Sequence, residues 1–227
     1  MTKLTDNISS LHRQIRSIEQ HYERPLGSVR LLAVSKKQTQ DKIRLAAVAG
    51  IKDFGENYLQ EALEKIEVLR DLDLTWHFIG PLQSNKTRSI AQYFDWVQSV
   101  DREKIARRLS EQRPADKPAL NVCVQVNLSA EASKSGLDLQ QTDCLCDIID
   151  NLPNLSLRGL MAIPAPLSDL QAQRRSFRRL ADTYRNLQLR YPDMDTLSMG
   201  MSNDYESAIA EGSTLIRIGT ALFGPRS

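Results

Sequence analysis

The stretch 30-RLLAVSKKQTQDKI-43 changes character at its middle. After Arg30, five apolar or small residues run up to Ser35, the pattern of a buried strand. The polar residues after it lead into Ile43, Ala46, Ala47 and Val48, the spacing of a helix that buries one face. A strand passing into a helix is one βα unit, and the same alternation continues along the chain. Working outward, candidate strands fall at Arg30–Lys36, Asp53–Asn57, Thr75–Gly80, Trp96–Asp101, Leu120–Leu128, Leu157–Ile163, Thr196–Met201 and Thr214–Ala221, eight in all. Helices are predicted at Thr5–His21, Asp41–Ala49, Glu56–Arg70, Ser84–Tyr93, Arg102–Gln112, Gln140–Asn151, Ser168–Arg190 and Tyr205–Glu211. Ser84 and Asp101 are suited to cap the helices that follow them.

Strands separated by helices pair in parallel through crossovers. Two architectures satisfy that rule, an open doubly wound sheet and a closed (β/α)8 barrel. The count of eight, and the lack of a Gly-x-Gly-x-x-Gly turn after the first strand, favour the α/β barrel with an extra N-terminal helix. No Pro/Gly/Ser linker divides the 227 residues, so one domain, 1–227, is expected.

Composition excludes little but is consistent with a cytoplasmic protein. The formal net charge is +2, which gives no reason to expect a nucleic-acid partner. No apolar run approaches a membrane span, and the N-terminus lacks the apolar core of a signal peptide. Cys123, Cys144 and Cys146 are odd in number and read as reduced thiols.

In a barrel the active site forms where strands end and βα loops begin. Those ends carry Lys36, Glu56, Asn57, His77, Gly80, Asp101, Asn127, Met161, Ser202, Asn203, Gly219 and Thr220. Barrels commonly bind phosphate in the loops after strands seven and eight. Ser202 and Thr220 offer hydroxyls there, and Gly219 allows close approach to the backbone. Arg217 lies inside an apolar strand and needs a partner, either a carboxylate in a structural ion pair or an acceptor on a ligand. Burial and a neighbouring cation lower the pKa of a strand-end lysine, and a neutral amine attacks aldehydes. Phosphate site, arginine and amine together describe a pocket for pyridoxal 5′-phosphate (PLP). A Schiff-base sugar-phosphate aldolase is the competing reading. Periodicity does not choose between Lys36 and Lys37.

The segments AVSK (33–36), FGENY (54–58), WHFIGPLQSNK (76–86), SKSG (133–136), RGLMAIP (158–164), SMGMSNDYESAI (198–209) and RIGTALFG (217–224) resemble the PLP homeostasis protein family, related to the barrel domain of fold-type III alanine racemases. The one departure is Asn203, where members of the family also carry aspartate. The resemblance implies that Lys36 holds PLP as a Schiff base. It implies that Ser202, Gly219 and Thr220 hold the phosphate, that Arg217 faces the pyridine nitrogen, and that Asn57 and Met201 line the pocket. It further implies a non-catalytic carrier or regulator of PLP, with PLP-dependent apo-enzymes as partners; the alternative is a slow PLP-dependent amino-acid racemase. The chain stops at Ser227, so the racemases' second domain, with its catalytic tyrosine, is expected to be absent and the protein to be a monomer.

Other residues have blander readings beside sharper ones. Tyr58 and Tyr205 are rim residues before they are substitute bases. His77 is as well explained by a hydrogen-bonded core as by acid–base work. Asn85, Lys86 and Arg88, like the run Arg174, Arg175, Arg178 and Arg179, read as solvated faces. Lys134 is a candidate second carbonyl-reactive amine.

Overall fold

The computed structural model describes residues 3–128, 135–165, 167 and 169–224. Eight parallel strands close into a barrel in sequence order: β1 (Arg30–Val34), β2 (Asp53–Glu56), β3 (Thr75–Phe78), β4 (Trp96–Val100), β5 (Leu120–Val126), β6 (Leu155–Ala162), β7 (Thr196–Ser198) and β8 (Leu215–Ile218). Closure is made by β8 on β1, which sets Leu32 beside Arg217 and Ala33 beside Ile218. The helices are α1 (Lys3–His21), α2 (Gln40–Val48), α3 (Leu59–Val68), α4 (Thr87–Tyr93), α5 (Glu103–Gln112), α6 (Thr142–Asp150), α7 (Leu170–Gln188), α8 (Tyr205–Ala210) and α9 (Thr220–Phe223).

Alternation along β1 explains its two-sided burial. Leu31 and Ala33 belong to the large apolar layer between strands and helices, whereas Leu32 meets Ile79 and Leu215 in a separate cluster. Residues on β1, on β8 and just after β3 touch only across the barrel interior, so Leu32 points inward, as does Val34, which packs on the same cluster.

Several boundaries differ from the sequence reading. β8 ends at Ile218, not Ala221, and Gly219 begins the turn into α9. Asp101 does not cap α5; its carboxylate pairs with Arg102, the residue at the cap position. Ser84 stands three residues before α4, where its carbonyl accepts from the Thr87 hydroxyl. Beyond β8 the residues are small, and Thr220 and Ala221 are exposed, so composition alone extended a strand whose pairing with β1 had already ended.

α1 lies outside the βα repeat and packs on α2, α8 and α9. Its buried stripe is Ile8, Leu11 and Ile15, spaced three and four apart. Asn7 donates to the carbonyl of Leu222 in α9, and the hydroxyl of Tyr205 in α8 donates to Gln14.

Candidate functional site

At the C-terminal end of the strands a cavity of about 370 Å³ opens. Lys36, Met201, Ser202, Arg217, Gly219 and Thr220 all line it, together with Val34, Gln38, Asp204 and Gln173. Asn57 is not among its lining residues; it follows β2, and its buried Oδ1 makes no hydrogen bond. The Asn57 backbone runs so close to Gly80 that a Cβ there would stand 2.2 Å from its carbonyl oxygen.

Lys36 sits in the turn after β1, whose backbone is braced from both sides. The carbonyl of Ser35 accepts from Lys65 Nζ (2.8 Å) and its hydroxyl donates to Glu56 Oε1 (2.6 Å). The Lys37 N–H donates to Glu61, and Lys37 takes φ = 60°, a left-handed turn that directs the chain away. Lys65 Nζ joins the two sides by bonding both Glu56 and Glu61. Glu56 is fully buried, and burial raises its carboxyl pKa despite Lys65. Lys36 thus faces the cavity above Val34, while Lys37 is exposed.

The loop after β7 is shaped by Asp204, whose Oδ1 accepts from the Met201 N–H (2.6 Å) and whose pKa burial raises. Asp204 precedes α8, and in the sequence it reads only as a helix start. Beyond β8, the N–H groups of Leu222 and Phe223 return to the Gly219 carbonyl. The N–H groups of Thr220 and Ala221 fall in the first turn, where the helix offers no acceptor.

Arg217 is 3% exposed, and burial lowers its pKa to about 10, so it stays charged near neutrality. The carboxylate of a structural ion pair, one of the two partners expected, is not what it meets among the described residues. Nη1 donates to the carbonyl (2.8 Å) and hydroxyl (2.6 Å) of Ser198, and Nη2 to the carbonyl of Ala162 (2.7 Å). Three of its five N–H groups are used. The two others, on Nε and Nη2, have no protein acceptor among the described residues, and Arg217 borders the cavity.

The remaining candidates have other surroundings. Tyr58 is exposed, and Asn85, Lys86 and Arg88 are solvated. Arg174 and Arg178 clamp the buried Glu211 rather than forming a free patch. Cys123 and Cys146 are buried with thiols pushed up to about 12, which makes them unreactive. Lys134 lies outside the described residues. Among the described residues no group of three or more His, Cys, Asp or Glu side chains is placed to hold a metal.

Residues 7–227 match the family model described as alanine racemase, N-terminal domain. The chain is 56% identical to a pyridoxal phosphate homeostasis protein of Pseudomonas aeruginosa over 226 residues, covering 100% of this chain and 97% of that one. It is 48% identical to the protein of the same name from Escherichia coli K12, covering 100% and 98%. The chain belongs to the pyridoxal phosphate homeostasis protein family. A solved relative, PipY of Synechococcus elongatus with PLP bound, superposes with a TM-score of 0.85 at 38% identity, covering 98% of this chain and all of PipY. Alanine racemase from Corynebacterium glutamicum shares the fold at 19% identity and a TM-score of 0.66, over 94% of this chain but only 60% of the racemase. Homeostasis proteins therefore match this chain end to end, while the racemase extends well beyond the shared barrel.

Proposed function

We propose that this protein binds PLP through the amine of Lys36 and serves intracellular PLP homeostasis as a carrier or regulator of the cofactor, not as an enzyme. The observation that carries this reading is the convergence of Lys36, Arg217, Ser202, Gly219 and Thr220 on one cavity, in a family named for PLP homeostasis and with PLP bound to PipY. The donor set suits the group. Two N–H groups of a buried guanidinium have no acceptor among the described residues, two hydroxyls and the N–H groups of Thr220 and Ala221 stand at the same cavity, and one amine is within its walls.

When bound, PLP supplies a reactive carbonyl carbon and an electron-withdrawing ring. Lys36 Nζ would tether it, and the braced turn at Ser35 and Lys37 fixes where that amine stands. Ser202, Thr220 and the backbone N–H groups of Thr220 and Ala221 would donate to phosphate oxygens. Arg217 would donate to the ring nitrogen. A guanidinium cannot accept a hydrogen bond from a protonated ring nitrogen, so it would favour the unprotonated ring, a weaker electron sink than one held protonated by a carboxylate. That weakness suits a holder of PLP rather than a catalyst. The whole chain acts as one barrel domain, a cytoplasmic monomer whose partners are PLP and PLP-dependent apo-enzymes. Neither nucleic acid nor a membrane is involved; among the described residues no helix is long and apolar enough to span one.

Purified protein incubated with PLP should develop the visible absorbance of a lysine-linked cofactor, and borohydride should fix the adduct on Lys36. Lys36→Ala should lose it. The same adduct in that variant would overturn the assignment of Lys36. Robust Lys36-dependent racemisation of L-alanine would overturn the non-enzymatic reading.

A further inference from the structure

Beneath Arg217 a line of buried polar side chains crosses the barrel interior. Ser198 Oγ lies 2.6 Å from Arg217 Nη1 and 2.6 Å from Gln98 Oε1. Gln98 Nε2 lies 2.9 Å from His77 Nδ1, and His77 Nε2 lies 2.9 Å from Asp53 Oδ1. His77, Gln98 and Ser198 are completely buried, on β3, β4 and β7, and Asp53 opens β2. Four strands and β8 thus meet through side chains in a row.

The direction of every bond follows from one end. An Asp53 carboxylate only accepts, so His77 Nε2 must carry the hydrogen. Burial lowers the His77 pKa, against the pull of Asp53, so the ring is neutral and Nδ1 holds a lone pair. Gln98 must then donate its amide N–H to Nδ1, which turns its oxygen toward Ser198. That oxygen takes the Ser198 hydroxyl hydrogen, and the lone pairs of Oγ are left to face Arg217. Reversing any link would set two donors or two lone pairs against each other in a dry interior.

Resting on the assignment of Arg217 to the PLP ring, we propose that Asp53, His77, Gln98 and Ser198 are positioning residues for the cofactor. Their one-way chain makes Ser198 an obligate acceptor for Nη1. It thereby fixes the plane of the guanidinium and leaves Nε–H and one Nη2–H for the ring nitrogen. None of the four residues lines the cavity, and each acts through Arg217. The far end is also held. Arg30 and Arg158 lie over the Trp96 ring at 5.3 and 5.5 Å, and His77 stacks on that ring at 5.2 Å.

The test combines the rate of PLP release with the tautomer of His77. Nitrogen NMR of the wild-type protein should show His77, the one fully buried histidine, as the neutral Nε2–H form. A Nδ1–H form would overturn the chain whether or not PLP binds. Gln98→Leu preserves volume and cuts both links; PLP release should quicken about tenfold, the effect of losing one hydrogen bond to a charged group. Ser198→Ala cuts the next link and should do the same, and it decides the matter if Gln98→Leu does not fold. Gln98→Glu still accepts from Ser198 and should keep release within about twofold of wild type, while shifting His77 toward its protonated form. A purely structural role predicts lower thermal stability in Gln98→Leu and Ser198→Ala with wild-type release rates, and that result would sink the inference alone. Wild-type protein that takes up no PLP would sink the function proposed above, and the role in PLP binding with it.

Discussion

At the scale of single residues, the group with the largest stake is Lys65. Its ammonium is buried between Glu56 and Glu61 and also holds the Ser35 carbonyl. Removing one member of a buried ion cluster costs about 3–5 kcal/mol, because it strands the charges left behind. Lys65→Met should lose that much at pH 7, measured by urea unfolding. Glu56 already has a raised pKa in the folded state from burial, and without Lys65 its carboxylate is less favoured still. A raised folded-state pKa contributes stability at low pH that is lost as pH rises through that pKa. The deficit of Lys65→Met should therefore shrink as pH falls through the carboxylate range. Adding Glu56→Gln should recover part of it at pH 7. In the sequence Glu56 stands out only as a strand-end residue, and Lys65 and Glu61 only as ordinary charges on a helix; nothing there shows that the three meet. The same is true of the cavity's Asp204 and Gln38, whose value comes from what folding sets opposite them. Arg217 was different, because a charge between two isoleucines announces a buried requirement.

At the scale of elements, periodicity carried the eight strands and the long helices. Their ends did not follow, and β8 shows why. Gly219, Thr220 and Ala221 are small and apolar enough to extend a strand, but the ladder with β1 has already ended and the chain coils into α9. The position of α1 was also beyond reach, since an amphipathic stripe says that a face is covered and not by what. Its stripe supports α8 and α9, the two short helices beside the cavity loops. Leu11, 3% exposed in that stripe, should cost about 2–5 kcal/mol when cut to alanine. Amide exchange in Leu11→Ala should quicken in α8 and α9 more than in α4 and α5, which lie across the barrel from α1.

At the scale of the molecule, the cavity straddles the β1–β8 seam, where the first and last strands meet. A ligand tethered at Lys36 and gripped beyond β8 spans that seam, so binding should resist opening of the barrel as a whole. At free PLP a hundredfold above its dissociation constant the linkage is about 2.7 kcal/mol. For a domain of this size that corresponds to a rise in Tm of roughly 5–11 °C, at about 2–4 °C per kcal/mol. Scanning calorimetry with and without PLP measures it, and Lys36→Ala should show a smaller shift.

The surroundings of Trp96, at the start of β4, have a consequence of another kind. The chain has two tryptophans. Trp76 packs with Phe54 in the layer under the helices, while Trp96 is stacked on an imidazole and overlaid by two guanidinium groups inside the barrel. Indole emission is sensitive to such neighbours, so a Trp76→Phe protein would glow from one fixed point on the barrel floor. The colour and lifetime of that light would report on the interior from beneath, in real time and without a label.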